Sequence, residues 1–394
     1  MKVEIWHNIL WSRYKAVVFT ELYRLSVEHD VKLKIFQIAE TDSDRIGLSG
    51  VEKDWHGYPY ELLFEGSYSS IPRWALIKRV AREALTTDAD IVALAGFEKL
   101  EYWVQLLILK ARRKKVAFFC DSTINDNEQK FIKGLAKRLF FGLSDAAFCY
   151  GVRAMQYLMH YGMPARKILF RRQAAALPRD YDPAAVLAVR KAQDPNEVRL
   201  LYVGRLALEK RIDTLLKAFK QFLQIHGAGR LVIVGKGPEE QELRQMAEDM
   251  AIIGNVDFVG PKSGDALWAE YTAASALVLP SKSEPWGLVV NEALAYGCPV
   301  IVSDRCGCVP ELVIDGKTGY VFECDNVEDL KEKIIALLEA RTTETNLDYQ
   351  CIEHIKSFNP ASAALEIFTG MASLRNNTIY SWLNRNIPGE KVTE

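Results

Sequence analysis

Residues 276–304 read ALVLPSKSEPWGLVVNEALAYGCPVIVSD. Two short apolar runs, Ala276–Leu279 and Val300–Ser303, bracket a stretch of helical spacing from about Val289 to Tyr296. Strands this uniformly apolar are expected in parallel sheets covered on both faces. The same alternation continues upstream. Val198–Val203, Arg230–Val234 and Val256–Val259 read as strands, and Arg211–His226, Pro238–Met250 and Ala266–Ala274 as helices. The first half repeats the rhythm, with strands at Val3–His7, Val31–Ile38, Ile91–Ala95, Val116–Cys120 and Ala146–Tyr150. Helical spacing lies between them at Tyr14–His29, Trp74–Thr86 and Tyr102–Arg113. Strand and helix in strict alternation imply an α/β chain with mostly parallel sheets. Pro178, Pro183 and Pro195 interrupt residues 177–196, which reads as an interdomain linker. The expectation is two Rossmann-like, doubly wound domains, 1–177 and 178–365, and a terminal segment 366–394 with a helix at Thr378–Asn386.

Composition agrees with two ordinary globular domains. The chain has 394 residues, 49% hydrophobic and 26% charged, enough for each half to bury its own core. No apolar run approaches the ~20 residues of a membrane span. The start, Met1–Ile5, reads as a strand and lacks a signal peptide's apolar core. Seven cysteines with no C-x-x-C pair speak against a disulfide framework or a zinc ribbon, so a reducing, cytoplasmic setting is expected. Net charge is −1, unevenly spread. Residues 1–175 carry 27 Lys and Arg against 20 Asp and Glu, and the remainder 23 against 31. The first half can therefore face something anionic.

In open parallel sheets, ligands bind beyond the carboxyl ends of the strands. After the strand ending at Val203 come Gly204, Arg205 and, five residues on, Lys210. A guanidinium fork beside a compact ammonium suits a diphosphate. Cations at a helix start oppose the helix dipole, which favours a functional reason for the pair. After Val234 comes the glycine turn Gly235-Lys236-Gly237-Pro238. After Leu279, Glu284 and Glu292 stand with seven residues between them, and Gly287 precedes a helix whose first amides form an anion site. The two carboxylates are suited to accept hydrogen bonds from sugar hydroxyls. An unpaired Glu292 between apolar neighbours would be costly to bury.

Four segments occur in order: GRLALEK (204–210), VGKGPE (234–239), the run 258–304 that ends in the stretch quoted above, and VPELVIDGKTGYVF (309–322). Together they resemble the nucleotide-sugar half of the family 4 retaining glycosyltransferases (glycosyl transferases group 1), which have the two-Rossmann GT-B fold. The resemblance implies two domains facing a cleft, with a terminal helix crossing back to the first. It implies that Arg205 and Lys210 bind the donor diphosphate, that Glu292 binds the ribose hydroxyls and that Glu284 contacts the donor sugar. Gly287, Leu288 and Val289 would present amides beside Trp286; Gly204 and Gly235 would shape the floor, and Val259 and Gly260 would wall the base. The implied reaction retains anomeric configuration, uses no metal or cofactor, and moves a sugar from a UDP- or GDP-sugar to a saccharide, lipid-linked or small-molecule acceptor. Glu284, Arg205, Lys210 and Asp121 are its candidate catalytic residues.

The first half departs from that family. Where relatives carry a His-Asp pair, this chain has Cys120-Asp121; where they carry paired glycines, it has His7–Tyr14. Asp121, Trp11 and Arg153 are the acceptor-side candidates. Two alternatives follow: a nucleotide-sugar-binding protein with impaired catalysis, or an epimerase on the same fold. Asp42-Ser43-Asp44 reads as a solvated turn, Cys306-Gly307-Cys308 as a turn with two thiols, and the six histidines lack metal-ligand spacing. The basic runs 110–115 and 130–141 interleave charge with apolar residues, and the second reads either as a helix covering the sheet with a basic outer face or as one in peripheral contact with an anionic membrane face. No nucleic-acid motif accompanies them.

Overall fold

The computed structural model describes residues 1–43, 50–126, 131–194, 196–343 and 346–376. Asp44 and the terminal helix expected at 378–386 lie outside the described residues. The first domain contains seven strands: β1 (Lys2–Ile9), β2 (Lys32–Ala39), β3 (Glu61–Leu62), β4 (Ile91–Leu94), β5 (Lys115–Cys120), β6 (Ala146–Tyr150) and β7 (Ile168–Arg171). The second contains six: β8 (Arg199–Val203), β9 (Arg230–Val234), β10 (Val256–Gly260), β11 (Ala276–Leu279), β12 (Val300–Ser303) and β13 (Gly319–Phe322). The sheet orders are β3-β2-β1-β4-β5-β6-β7 and β10-β9-β8-β11-β12-β13, and every pairing is parallel. Both sheets are therefore doubly wound, as expected. Strand order reverses between β1 and β4 and again between β8 and β11, opening a crevice at the carboxyl ends.

Strands β4, β6, β11 and β12 are buried at every position, which is why the apolar runs mark them so clearly. Each sheet is packed on both faces by separate apolar layers. The final described helix, Pro360–Asn376, lies against the first domain. Its Ala363, Ala364, Ile367 and Met371 join the layer formed by Val18, Phe19 and Leu22, and Glu366 pairs with Arg172 at 2.8 Å.

One expectation within the linker is corrected. Pro183 starts a helix, Pro183–Lys191, instead of breaking structure. Proline at the first helical position loses no hydrogen bond, and Asp182 caps the helix by accepting from the Ala184 amide at 2.9 Å. The buried Arg190 anchors this helix to the second domain, donating to the carbonyls of Thr272 and Ala274 at 2.9 and 3.1 Å and pairing with Asp348 at 3.0 Å.

Candidate functional site

At the strand-order reversal of the second sheet lies a cavity of about 330 Å³. Tyr202, Val203, Gly204, Arg205 and Lys210 line one wall; Leu279, Glu284, Gly287, Leu288 and Val289 line the other. The walls come from the loops after β8 and β11, adjacent strands whose ends diverge.

Backbone contacts hold these loops. Gly204 donates to Val234 O at 3.0 Å, Leu206 to Lys236 O at 3.0 Å, and Gly235 to Gly260 O at 2.9 Å. The approach is so close that a Cβ on Gly235, which also has φ +139°, would stand 1.8 Å from Gly204 O. On the other wall, Gly307 donates to Glu284 O at 2.8 Å and Cys308 to Trp286 O at 3.0 Å. Gly287, at φ +96°, caps the helix Leu288–Ala295, whose leading amides open toward the cavity.

Lys210 and Glu284 pair at 2.6 Å. The Arg205 guanidinium is half exposed, and its partner is Glu209, the i,i+4 neighbour. Such an exposed pair contributes little to stability, so the fork is free to turn to a ligand. Glu292 does not line this cavity. Its carboxylate accepts from the Tyr271 hydroxyl at 2.7 Å, and burial pushes its pKa up to about 7 against the opposing effects of that bond and of Arg13. Arg13 belongs to the first domain, so one cation acts on the second domain's helix across the cleft. Val259 is exposed and Gly260 is tied to Gly235. Trp286 is buried; its indole donates to Asn291 at 2.8 Å, and Asn291 donates to Gln173 O at 2.9 Å. The tryptophan thus packs into the seam between domains and is not among the cavity-lining residues.

On the first domain, Asp121 is exposed at the end of β5. The rest of its loop approaches the donor side, where Ser283 donates to Asp126 O at 3.5 Å. Burial raises the Asp126 carboxyl to about 6, although Thr123 donates to it twice. Trp11 is half-buried after β1, its amide bonded to Glu40 O at 2.9 Å. Arg153 donates to Asp304 O across the seam. Arg13 and Tyr271, from elements distant from Glu292 in sequence, carried no sign of their place here, and Tyr202, two residues before Gly204, read only as part of an apolar strand.

Residues 188–355 match the family model for glycosyl transferases group 1. This segment is a group 1 glycosyl transferase domain. The chain is 31% identical over 195 residues to D-inositol 3-phosphate glycosyltransferase of Corynebacterium glutamicum, spanning 48% of this chain and 45% of that protein. It is 29% identical over 177 residues to sulfoquinovosyl transferase SQD2 of Arabidopsis thaliana, spanning 44% and 33% respectively. The chain thus matches less than half the length of these relatives. Among solved structures, Anabaena Alr3699/HepE in complex with UDP superposes with a TM-score of 0.71 at 15% identity, over 95% of this chain and 100% of that one. Sucrose-phosphate synthase from Thermosynechococcus elongatus does so with 0.71 at 20%, over 96% and 100%. The matched segment thus sits in a two-domain GT-B fold, and the cavity between β8 and β11 lies within that segment.

Proposed function

We propose that the chain is a retaining, metal-independent family 4 glycosyltransferase that moves a sugar from a UDP- or GDP-sugar to an acceptor held by the first domain. The observation that carries this reading is the convergence of Arg205, Lys210, Glu284 and the Gly287–Val289 turn on one cavity. As the nucleoside diphosphate departs, negative charge grows on its oxygens. Fixed cations and helix amides stabilise that charge in the transition state. Glu284 accepts from the donor sugar's hydroxyls, Glu292 from the ribose, and closure of the two domains orients donor and acceptor. Two relatives' names mention inositol 3-phosphate and glycogen, so a polar, sugar-like acceptor fits. All seven cysteines are free thiols, which suits a reducing compartment.

Thermal shift against a panel of nucleoside diphosphates tests the donor, because a ligand that binds only the native state raises the melting temperature. UDP or GDP should raise it, and the matching nucleotide sugar should then support transfer to an acceptor panel. No stabilisation by any nucleotide would sink the reading. Exchange of the donor's C2 proton with solvent, without transfer, would replace it with epimerisation.

The helix Phe131–Leu143 supports an added proposal, contact with an anionic lipid surface. Ile132, Leu135 and Leu139 are exposed at helical spacing, flanked by the exposed Lys133 and Arg138. Among the described residues no helix is long and apolar enough to cross a membrane. The chain should cosediment with vesicles containing anionic lipid, and replacing the three apolar residues by serine should release it.

A further inference from the structure

The carboxyl edge of the first sheet holds a second charged cluster that the donor cavity does not use. Lys15, in the first turn of the helix Arg13–Glu28, and Arg171, the last residue of β7, both donate to the phenol oxygen of Tyr150, the last residue of β6. All three are buried, with relative exposures of 7%, 0% and 3%. Arg171 also donates to Gln173 Oε1 at 3.1 Å, and its Cζ stands 4.0 Å from the centre of the Tyr150 ring. Its Nε and Nη1 have no hydrogen-bond partner.

The cluster is rich in donors and poor in acceptors. An ammonium offers three N–H bonds and a guanidinium five, yet the acceptors they reach are the tyrosine oxygen and the Gln173 amide. Burial pushes the Tyr150 phenol well up, so it keeps its proton and adds one more donor. Burial, reinforced by Arg171, holds the Lys15 ammonium well below the usual lysine range, while the charge of Asp121 acts in the other direction. His7 is lowered to about 3 by burial and stays neutral. Two basic groups, the Arg171 guanidinium and the Lys15 amine, therefore share one neutral oxygen, and among the described residues neither forms an ion pair. A buried basic group left this way is costly to keep charged unless an anion completes it.

The position supplies the rest. The Tyr150 ring faces the Trp286 indole with centroids 6.3 Å apart, and Trp286 directly precedes the Gly287 turn of the donor cavity. The cluster thus stands across the seam from the donor loop, on the domain where the acceptor enters. We propose that Lys15, Tyr150 and Arg171 form a binding site for an anionic group, a phosphate or carboxylate, carried by the acceptor. The word acceptor rests on the glycosyltransferase reading; the anion site itself does not. Oxygens of such a group would take the unsatisfied N–H and O–H donors in charge-assisted hydrogen bonds.

The test is titration of the full chain with inorganic phosphate, followed by calorimetry and melting temperature. It compares the unsubstituted chain with Lys15→Met, Lys15→Gln and Arg205→Gln. Both Lys15 variants should weaken phosphate binding about tenfold or more, while R205Q retains a phosphate site that depends on Lys15. Without ligand, K15M should melt at or above the unsubstituted chain, since it removes a buried basic group that no anion partners. A merely structural lysine would lower that temperature. Phosphate binding indifferent to both Lys15 variants, or abolished by R205Q alone, would overturn the proposal. UDP and GDP titrations separate the two readings. If no nucleotide binds but phosphate still depends on Lys15, the transferase reading fails and the anion site stands. If a nucleotide binds and phosphate ignores Lys15, the reverse holds.

Discussion

The Lys210 ammonium lies 2.6 Å from the Glu284 carboxylate, both side chains about four-fifths buried in the wall of the donor cavity. Each therefore holds the other in place before any ligand arrives, and each has a separate task once it does. Lys210→Ala removes a cation from the diphosphate and leaves Glu284 without its partner. It should weaken nucleoside diphosphate binding by about ten- to a hundredfold, the range of one or two charge-assisted hydrogen bonds. Glu284→Gln keeps the shape and the lysine; it should change nucleotide affinity by no more than about threefold yet cut transfer by about a hundredfold or more. Calorimetric titration with UDP and GDP, set beside turnover, separates the two effects. Equal losses of nucleotide affinity in both variants would contradict this division of roles.

Gly235 makes a sharper test of how the floor of the cavity is built. An alanine there would place its Cβ 1.8 Å from Gly204 O at a φ of +139°. The obstacle is backbone and cannot rotate away, so Gly235→Ala should destabilise the second domain by about 3 kcal/mol or more. At Gly254, where nothing lies within 4 Å of an added Cβ, alanine should be nearly neutral. Urea denaturation of the two variants checks the contrast. A mild effect at Gly235 would mean that the loops after β8 and β9 do not meet as described.

The second domain was legible because its strands are continuous apolar runs and its site residues follow them directly in the chain. Leu279 ends β11, and Glu284 and Gly287 come within eight residues of it, so position alone brought them to the cavity. Trp286 shows the limit. A loop has no periodicity from which to read direction, and the indole between Glu284 and Gly287 turns into the domain seam. The helix Pro183–Lys191 was hidden because a helix-starting proline looks the same in sequence as a breaking one. β3 has only two residues, too short for a pattern, while β7 (ILFR) ends on Arg171 and β13 (GYVF) starts on Gly319, so neither shows the unbroken apolar run that marks β11 and β12. Arg13, Lys15 and Arg171 were missed for a different reason. Their significance lies in relationships between elements far apart in the chain, Arg13 acting on Glu292 and Lys15 and Arg171 meeting at Tyr150, and such pairing leaves no local signature.

Glu292 carries a pH dependence with a definite sign. Its carboxyl, buried against Tyr271, titrates at about 7 in the folded chain, above its ordinary value of 4.5. The folded state thus binds the proton more tightly than the unfolded one. Through this group, stability without ligand falls as pH rises from about 4.5 to about 7. Ligand binding runs the other way, because only the ionised carboxylate accepts from two ribose hydroxyls. Affinity for uridine or guanosine, which have no phosphate to titrate, should rise between pH 6 and 8 and level off. In Glu292→Gln it should be weak and flat. Calorimetry across that range decides the matter; an unchanged slope in the glutamine variant would place the titrating group elsewhere.

The seam between domains contains a second carboxyl of this kind. Glu311, on the second domain, accepts from the Val152 amide of the first at 2.5 Å through Oε1, while its buried Oε2 has no partner. Burial raises its pKa to about 7, and since Oε1 takes the amide, Oε2 is the oxygen open to a proton. The closed seam therefore binds that proton more tightly than an opened one, in which the carboxyl returns to water. Closure of the unliganded chain should be favoured at low pH and should loosen as pH rises from about 4.5 to about 7. Hydrogen exchange at the Val152 amide, corrected for its intrinsic pH dependence, should show protection falling over that interval. Glu311→Gln keeps a neutral acceptor at the same place, so its protection should be nearly constant with pH. Glu311→Ala removes the acceptor and should leave the amide fast at every pH. Protection that falls with pH as steeply in the glutamine variant would show that another group governs closure.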